Sequence, residues 1–250
     1  MALYQQITVT GRTFIVGDLH GCLSLLEEIL ERVEFRPENG DTCFLIGDLT
    51  DRGPDSYGCI QLLARLGFYA IKGNHEVMLI QALQQKQQLA MYCWMKNGGD
   101  WFAKLTPEEQ HDIRQDWLPL IEALPYALEI QTAEGKIIGL CHADLVLNHW
   151  QSLKDALNTD DETKNAALLE KIVWSRERIT LASKMPFLAD ACLINDLDYC
   201  IFGHTPIHPT PFRKGNCLWI DSGAVYPGGY LSVLEINDSI ICHQARFHLS

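Results

Sequence analysis

Three short apolar runs, each ending in a glycine followed by a polar residue, constrain this chain more than any other feature. Phe14-Ile15-Val16 ends at Gly17-Asp18, Thr42 to Ile46 ends at Gly47-Asp48, and Phe68 to Ile71 leads to Gly73-Asn74. Between them lie stretches with helical spacing: Leu23, Leu26, Leu30 and Val33 with glutamates interspersed, then a segment from about Asp55 to Leu66. The order β-α-β-α-β belongs to a parallel sheet, and runs without alternation suit strands covered on both faces. In open α/β sheets ligands bind beyond the carboxyl ends of the strands. The rhythm therefore delivers Asp18, Asp48 and Asn74 to one rim.

The rest of the chain keeps the same punctuation. A helix is expected from His75 to about Ala90, a break at Asn97-Gly98-Gly99, and a helix over Pro107–Leu124 with Thr106 and Glu109 as a capping box. Strand-like runs follow at Tyr126–Gln131, Lys136–Cys141, Tyr199–Phe202, Cys217–Ile220, Tyr230–Ile236 and Ser239–Phe247, with a helical and loop insertion at about His149–Asp198. No repeat or Pro/Gly/Ser linker divides the chain, so residues 1–250 read as one domain.

Composition narrows the function class. A net charge of −12 lacks the basic footprint of a nucleic-acid binder and offers nothing to an anionic membrane. No apolar run approaches the length of a spanning helix, and the first dozen residues show no secretory signal. Nine cysteines, with no CxxC pair, read as reduced and mostly buried, which suits the cytoplasm.

Five motifs follow strand-like runs: Gly17-Asp18-Leu19-His20-Gly21, Gly47-Asp48-Leu49-Thr50-Asp51-Arg52-Gly53, Gly73-Asn74-His75-Glu76, His142-Ala143-Asp144 and Gly203-His204-Thr205. They offer the carboxylates of Asp18 and Asp48, the carboxamide of Asn74 and the imidazoles of His20, His142 and His204 as metal ligands. Oxygen and imidazole donors without thiolate suit Mn²⁺, Fe or Zn²⁺, and more than four ligands points to two ions. Trp94, Trp101 and Trp219 read as core. Asn97-Gly98-Gly99 is a turn or part of a cleft wall. Asp144 is a candidate for orienting a metal-bound group.

Taken in order, GDxHG, GDxxDRG, GNHE, HAD and GHT resemble the metal-dependent phosphoprotein phosphatases of the calcineurin-like metallophosphoesterases, and most closely the compact bacterial and phage serine/threonine type. Thr50 stands where the family often has valine. The resemblance implies an α/β fold of two mixed β-sheets packed as a sandwich and flanked by helices. It implies that Asp18, His20 and Asp48 hold a first ion, and that Asp48 bridges to a second held by Asn74, His142 and His204. Arg52 and Arg176 would grip the substrate phosphate alongside Asn74 and His75. His75, oriented by Asp51, would donate a proton to the leaving group. Arg178 is the rival of Arg176, one facing phosphate and the other a carboxylate.

The expected activity is therefore hydrolysis of phosphoserine and phosphothreonine in a protein or peptide, by a metal-activated hydroxide at a dinuclear centre, in a monomer. Two alternatives stand beside it. A symmetrical bis(5′-nucleosyl)-tetraphosphatase type shares the metal motifs but resembles GDLVARG and GNHD where this chain has Asp51-Arg52-Gly53 and Glu76. A non-catalytic phosphate-binding module on the same scaffold would be expected to have lost ligands, arginines or His75.

Overall fold

A computed structural model describes residues 2–84, 88–145, 147–158, 162–184 and 192–247. Its strands are β1 (Tyr4–Thr8), β2 (Thr13–Val16), β3 (Thr42–Leu45), β4 (Phe68–Ala70), β5 (Ala127–Gln131), β6 (Ile137–Cys141), β7 (Tyr199–Phe202), β8 (Phe212–Lys214), β9 (Cys217–Trp219), β10 (Leu231–Ile236) and β11 (Ile240–Ala245). Its α-helices are α1 (Leu23–Arg32), α2 (Ser56–Gln61), α3 (Asn74–Gln84), α4 (Gln88–Lys96), α5 (Pro107–Asp112), α6 (Leu118–Ala123), α7 (Trp150–Leu157), α8 (Glu162–Trp174) and α9 (Glu177–Lys184).

Two mixed sheets pack face to face. One has the order β1-β5-β6-β7-β9-β8 and the other β11-β10-β2-β3-β4. β2, β3 and β4 are parallel neighbours, as the β-α-β-α-β rhythm requires, and β10 and β11 complete their sheet antiparallel. Successive residues of a strand point to opposite faces, and here both faces are apolar. Ile15, Phe44, Ile71 and Leu234 from one sheet meet Leu128, Ile138, Leu140 and Ile201 from the other. Phe14, Val16, Cys43 and Leu45 face outward under Leu25, Leu26 and Ile29 of α1. The second sheet buries Cys141, Cys200, Phe202 and Trp219 under Trp150, Leu153, Leu169 and Ile179 of α7, α8 and α9. This helix–sheet–sheet–helix layering explains why the strands show no polar alternation.

Several element boundaries differ from expectation. The Asp55–Leu66 helix is α2 plus a 3₁₀ turn at Leu62–Ala64, ended by extended backbone at Arg65. The helix expected to run to Ala90 is α3 followed by α4; residues 85–87 of that expectation lie outside the described residues. Pro107–Ala123 is α5 and α6 joined through a π turn at Ile113–Trp117, and its start carries the capping box, Thr106 with Glu109. All nine cysteines are free thiols, seven of them buried. Among the described residues no helix is long and apolar enough to cross a membrane.

Candidate metal centre

The carboxyl ends of six strands meet at one place. β2 leads to Asp18, β3 to Asp48 and β4 to Asn74; β6 leads to His142, β7 to His204 and β9 to Asp221. Both sheets contribute, and all six side chains are buried. Charged residues are almost never so buried unless paired or ligating.

The backbone is strained in the same place. Among the described residues, seven non-glycine residues have positive φ, and five of them are His20, Asp48, Asp51, Arg52 and His204. Each such residue costs about 1–3 kcal/mol and persists where the surroundings over-determine it, as at active sites. Two glycines permit close approach of the chain: a Cβ on Gly73 would lie 2.2 Å from Asp48 Oδ1, and one on Gly203 2.0 Å from Asp18 Oδ1. Glu76 ties the loops together by accepting the backbone N–H of Asp48, Leu49 and Gly73, each at 2.8 Å.

Second partners set the imidazole tautomers. His20 Nδ1–H donates to the carbonyl of Thr50 and His142 Nδ1–H to that of Ile46, both at 2.9 Å. A carbonyl only accepts, so Nε2 of each ring is turned inward as a lone pair when the ring is neutral. His142 Nε2 then faces Asn74 Oδ1 at 3.0 Å and Asp48 Oδ1 at 3.3 Å, while His204 Nδ1 lies 2.9 Å from the same Asn74 oxygen. A lone pair on His142 Nε2 facing the oxygens of Asn74 and Asp48 is stabilised by positive charge between them. A proton meets that demand in part: burial opposes charge on His142, but Asp48 and Asp18 more than offset it and push the ring up to about 10. A divalent cation meets it more fully. With bonds of about 2.0–2.2 Å, neighbouring ligands sit about 3.0–3.5 Å apart, which is close to the observed spacing. Burial, with the charges of His75 and Arg52, outweighs Asp48 and pushes His20 down to about 3; burial with the charge of His142 does the same to His204, which favours the neutral, ligating form of both rings. Buried His204 Nε2 and His75 Nε2 have no hydrogen-bond partner among the described residues.

Two donor groups emerge: Asp48 with His142 and His204, and Asp48 with His20 and His75. The first, joined by Asn74, is the set expected for a second ion. The other group has His75 where Asp18 is expected. Asp48 Oδ2 lies 3.6 Å from His20 Nε2 and 3.9 Å from His75 Nε2. Both Asp18 oxygens accept the backbone N–H of His204 at 3.0 Å. Burial, then the neighbouring Asp221, drives the Asp18 carboxyl well above its ordinary range, while burial is overcome at Asp48 by His142 and His75, which hold it well below. Burial also raises Asp221, to about 6. Asp221 and Glu76 are acids of this centre that motif reading did not place.

The expected phosphate and proton groups surround the donors. His75 Nδ1 is 2.6 Å from Asp51 Oδ2. Arg52 NH1 donates to His20 Nε2 at 2.6 Å, so its guanidinium lies beside the first donor group. Arg178 is buried on Asp144: its Nε donates to Oδ1 and its backbone N–H to Oδ2, both at 3.0 Å, and its NH2 reaches Leu145 O and Asn148. Asp144 thus holds Arg178 rather than a metal-bound group. Arg176 is exposed, and its charge reaches His204. Trp94 and Trp101, read as core, aim their indole N–H groups at Asp51.

A model of the calcineurin-like phosphoesterase family matches residues 11–208. The chain belongs to the calcineurin-like phosphoesterases. It is accordingly a hydrolase, and the donor groups above are its candidates for that family's dinuclear divalent centre. This phosphoesterase is 34% identical to serine/threonine-protein phosphatase 1 of Salmonella typhimurium, covering 94% of this chain and 97% of that one. It is also 34% identical to a symmetrical bis(5′-nucleosyl)-tetraphosphatase of Chromohalobacter salexigens, over 90% and 94%. A crystal structure described as a candidate diadenosine tetraphosphatase superposes with a TM-score of 0.65 at 26% identity, covering 98% of each chain.

Proposed function

We propose that this phosphoesterase is a serine/threonine protein phosphatase acting on phosphorylated proteins or peptides, with Mn²⁺ as its metal and the whole chain, 1–250, as one catalytic domain. The observation that carries the choice is Asp51. Its buried carboxylate lies 2.6 Å from His75, whereas the motif of the symmetrical tetraphosphatases has alanine at that position. A serine alkoxide is a poor leaving group and needs a proton, so a carboxylate–imidazole pair suits it.

Asp18, His20 and Asp48 would hold one cation, and Asp48, Asn74, His142 and His204 the other. When bound, two such ions turn water into a nucleophile near neutral pH and offset charge on the phosphoryl oxygens. Arg52 and Arg176 bind those oxygens, Arg52 from beside His20 and Arg176 from the open side near His204; a planar guanidinium does this bidentately. His75 Nε2, without a hydrogen-bond partner among the described residues, would give its proton to the leaving oxygen. Burial disfavours charge on this ring, but Asp48 and Asp51 outweigh burial and raise it above its ordinary value, which favours the protonated form a donor needs. Nine free thiols suit a reducing cytoplasm, and the acidic chain offers no surface to nucleic acid or membrane. We take it as a monomer.

The second reading is a bis(5′-nucleosyl)-tetraphosphatase, which the identity to the Chromohalobacter enzyme supports. Turnover of phosphoserine, phosphothreonine and phosphotyrosine peptides and of diadenosine tetraphosphate, each with Mn²⁺, separates the two. Phosphoserine and phosphothreonine peptides are expected to be the better substrates. A dominant tetraphosphate rate would establish the second reading instead.

A further inference from the structure

The Asp51 carboxylate is closed off from solvent, and three N–H groups converge on it. His75 Nδ1 takes Oδ2 at 2.6 Å. Trp94 Nε1 straddles both oxygens, at 3.1 Å from Oδ1 and 2.9 Å from Oδ2. Trp101 Nε1 takes Oδ1 at 2.6 Å. A buried carboxylate has roughly four lone-pair sites to satisfy, and one imidazole fills one of them. The indoles fill the others with neutral, donor-only groups. A lysine or arginine would instead bring a rival cation and weaken the attraction between Asp51 and the imidazolium.

Both indoles come from one short segment. Trp94 lies on α4 and Trp101 in the 3₁₀ turn at Gly99–Lys104, and their rings meet edge-on at 6.0 Å. Between them, the carbonyl of Gly98 accepts the backbone N–H of Arg52 at 3.1 Å. Residues 94–101 therefore clasp Asp51 through two indoles and Arg52 through one carbonyl. Asp51 and Arg52 are consecutive non-glycine residues at φ +77° and +69°. A pair like that holds its shape only under outside support.

We infer that Trp94 and Trp101 are positioning residues for proton transfer: their N–H groups fix the plane of the Asp51 carboxylate and so aim His75 Nε2 at the leaving oxygen. The inference rests on His75 being the proton donor, as proposed above. Removing one indole N–H leaves Asp51 free to turn, and the imidazole turns with it. The loss then depends on how much the leaving group needs a proton. A serine alkoxide needs it most, and a nitrophenolate, already stable as an anion, needs it least.

The test is the turnover, KM and single-turnover rate of Trp101→Phe, Trp94→Phe and His75→Asn on a phosphoserine peptide and on 4-nitrophenyl phosphate, with bound manganese counted in each. Phenylalanine keeps the ring and drops the donor. The two tryptophan variants should lose about tenfold on the peptide, part of the about 10²–10⁴ a general acid contributes. Turnover of nitrophenyl phosphate, both KM values and metal content should stay near wild type. His75→Asn should show the same bias more strongly. Benzothienylalanine at position 101, which puts sulfur in place of the N–H within the same ring outline, gives the readout should Trp101→Phe fail to fold. Equal losses on both substrates, or none, in the tryptophan variants while His75→Asn keeps its bias would overturn the positioning role. Absence of bias in His75→Asn at full metal content would overturn the proton-donor reading and this inference with it.

Discussion

At the scale of single residues, the two arginines of Trp174-Ser175-Arg176-Glu177-Arg178 differ in burial, and the roles proposed for them follow that difference. Arg178 is wrapped by Asp144, Leu145 and Asn148, and removing its side chain leaves the buried Asp144 carboxylate without its cation, held only by Ser175 Oγ and the backbone N–H of residue 178. Breaking such a pair costs about 3–5 kcal/mol, so Arg178→Ala should unfold at distinctly lower denaturant. Arg176→Ala removes an exposed side chain and should keep wild-type stability while losing affinity for phosphate. Denaturation curves together with inhibition by free phosphate check both; loss of phosphate affinity in Arg178→Ala alone would exchange the roles. The donors themselves were legible because Asp, Asn and His recur after strand-like runs with glycines beside them. Trp94 and Trp101 were not, since an indole shows one polar atom on an otherwise apolar body, and only the fold reveals where that atom points. Glu76 was visible as a letter of its motif, but two of its three backbone partners, Asp48 and Leu49, lie on another loop.

At the scale of elements, the strands that carry the centre are legible and the edges are not. β2, β3 and β6 are apolar throughout or nearly so because a helix layer and the opposite sheet cover their two faces. β1, Tyr-Gln-Gln-Ile-Thr, is largely polar and exposed, and is a strand because it pairs in parallel with β5 at the sheet edge. β8 likewise is three residues on the edge beside β9. Neither has a local signal, since long-range pairing makes them. Joining elements to one another also takes polar contacts. Arg12, just before β2, bonds the carbonyls of Val33 and Glu34 at the end of α1 and both oxygens of Asp41 before β3. Burial would raise the Asp41 carboxyl, but the Arg12 guanidinium and the Arg36 N–H hold it below its ordinary range. Arg12 is partly exposed, so Asp41→Asn should cost only about 1–2 kcal/mol. The sign with pH follows from the lowered value. The contribution is complete above the unfolded carboxyl's pKa of about 3.9 and fades as pH falls through the folded one. Urea curves of wild type and Asp41→Asn should therefore converge on acidification; a gap that stayed constant or widened would refute the clasp.

At the scale of the whole molecule, the centre lies on the seam between the two sheets. Asp18, Asp48 and Asn74 come from one sheet, and His142, His204 and Asp221 from the other, all at strand ends. Asp18, Asp48, Glu76 and Asp221 bring four buried acids together in a chain whose net charge is already −12. The parallel rhythm of the first third foretold one half of this seam. The other half was legible only as separate motifs, because no local pattern says which sheet a later strand joins. Cations at such a seam offset the crowded acids and tie the sheets, so ligation should be felt as global stability as well as rate. A ligand at 100 times its Kd adds about 2.7 kcal/mol, and each kcal/mol moves the midpoint of a chain this size by about 2–4 °C. Thorough chelation should therefore abolish turnover and lower the unfolding temperature by about 5–10 °C. Mn²⁺ should restore both, and more fully than Mg²⁺, because imidazoles are among the ligands. Asp48→Asn, which weakens the one carboxylate common to both donor groups, should keep its fold yet show little of the rise on adding Mn²⁺. The measurement is a set of melting curves and metal counts on wild type and Asp48→Asn, with chelator and with each ion. Full turnover by stripped enzyme would remove the cations from the reaction, and two ions per chain with wild-type turnover in Asp48→Asn would remove Asp48 from the bridge.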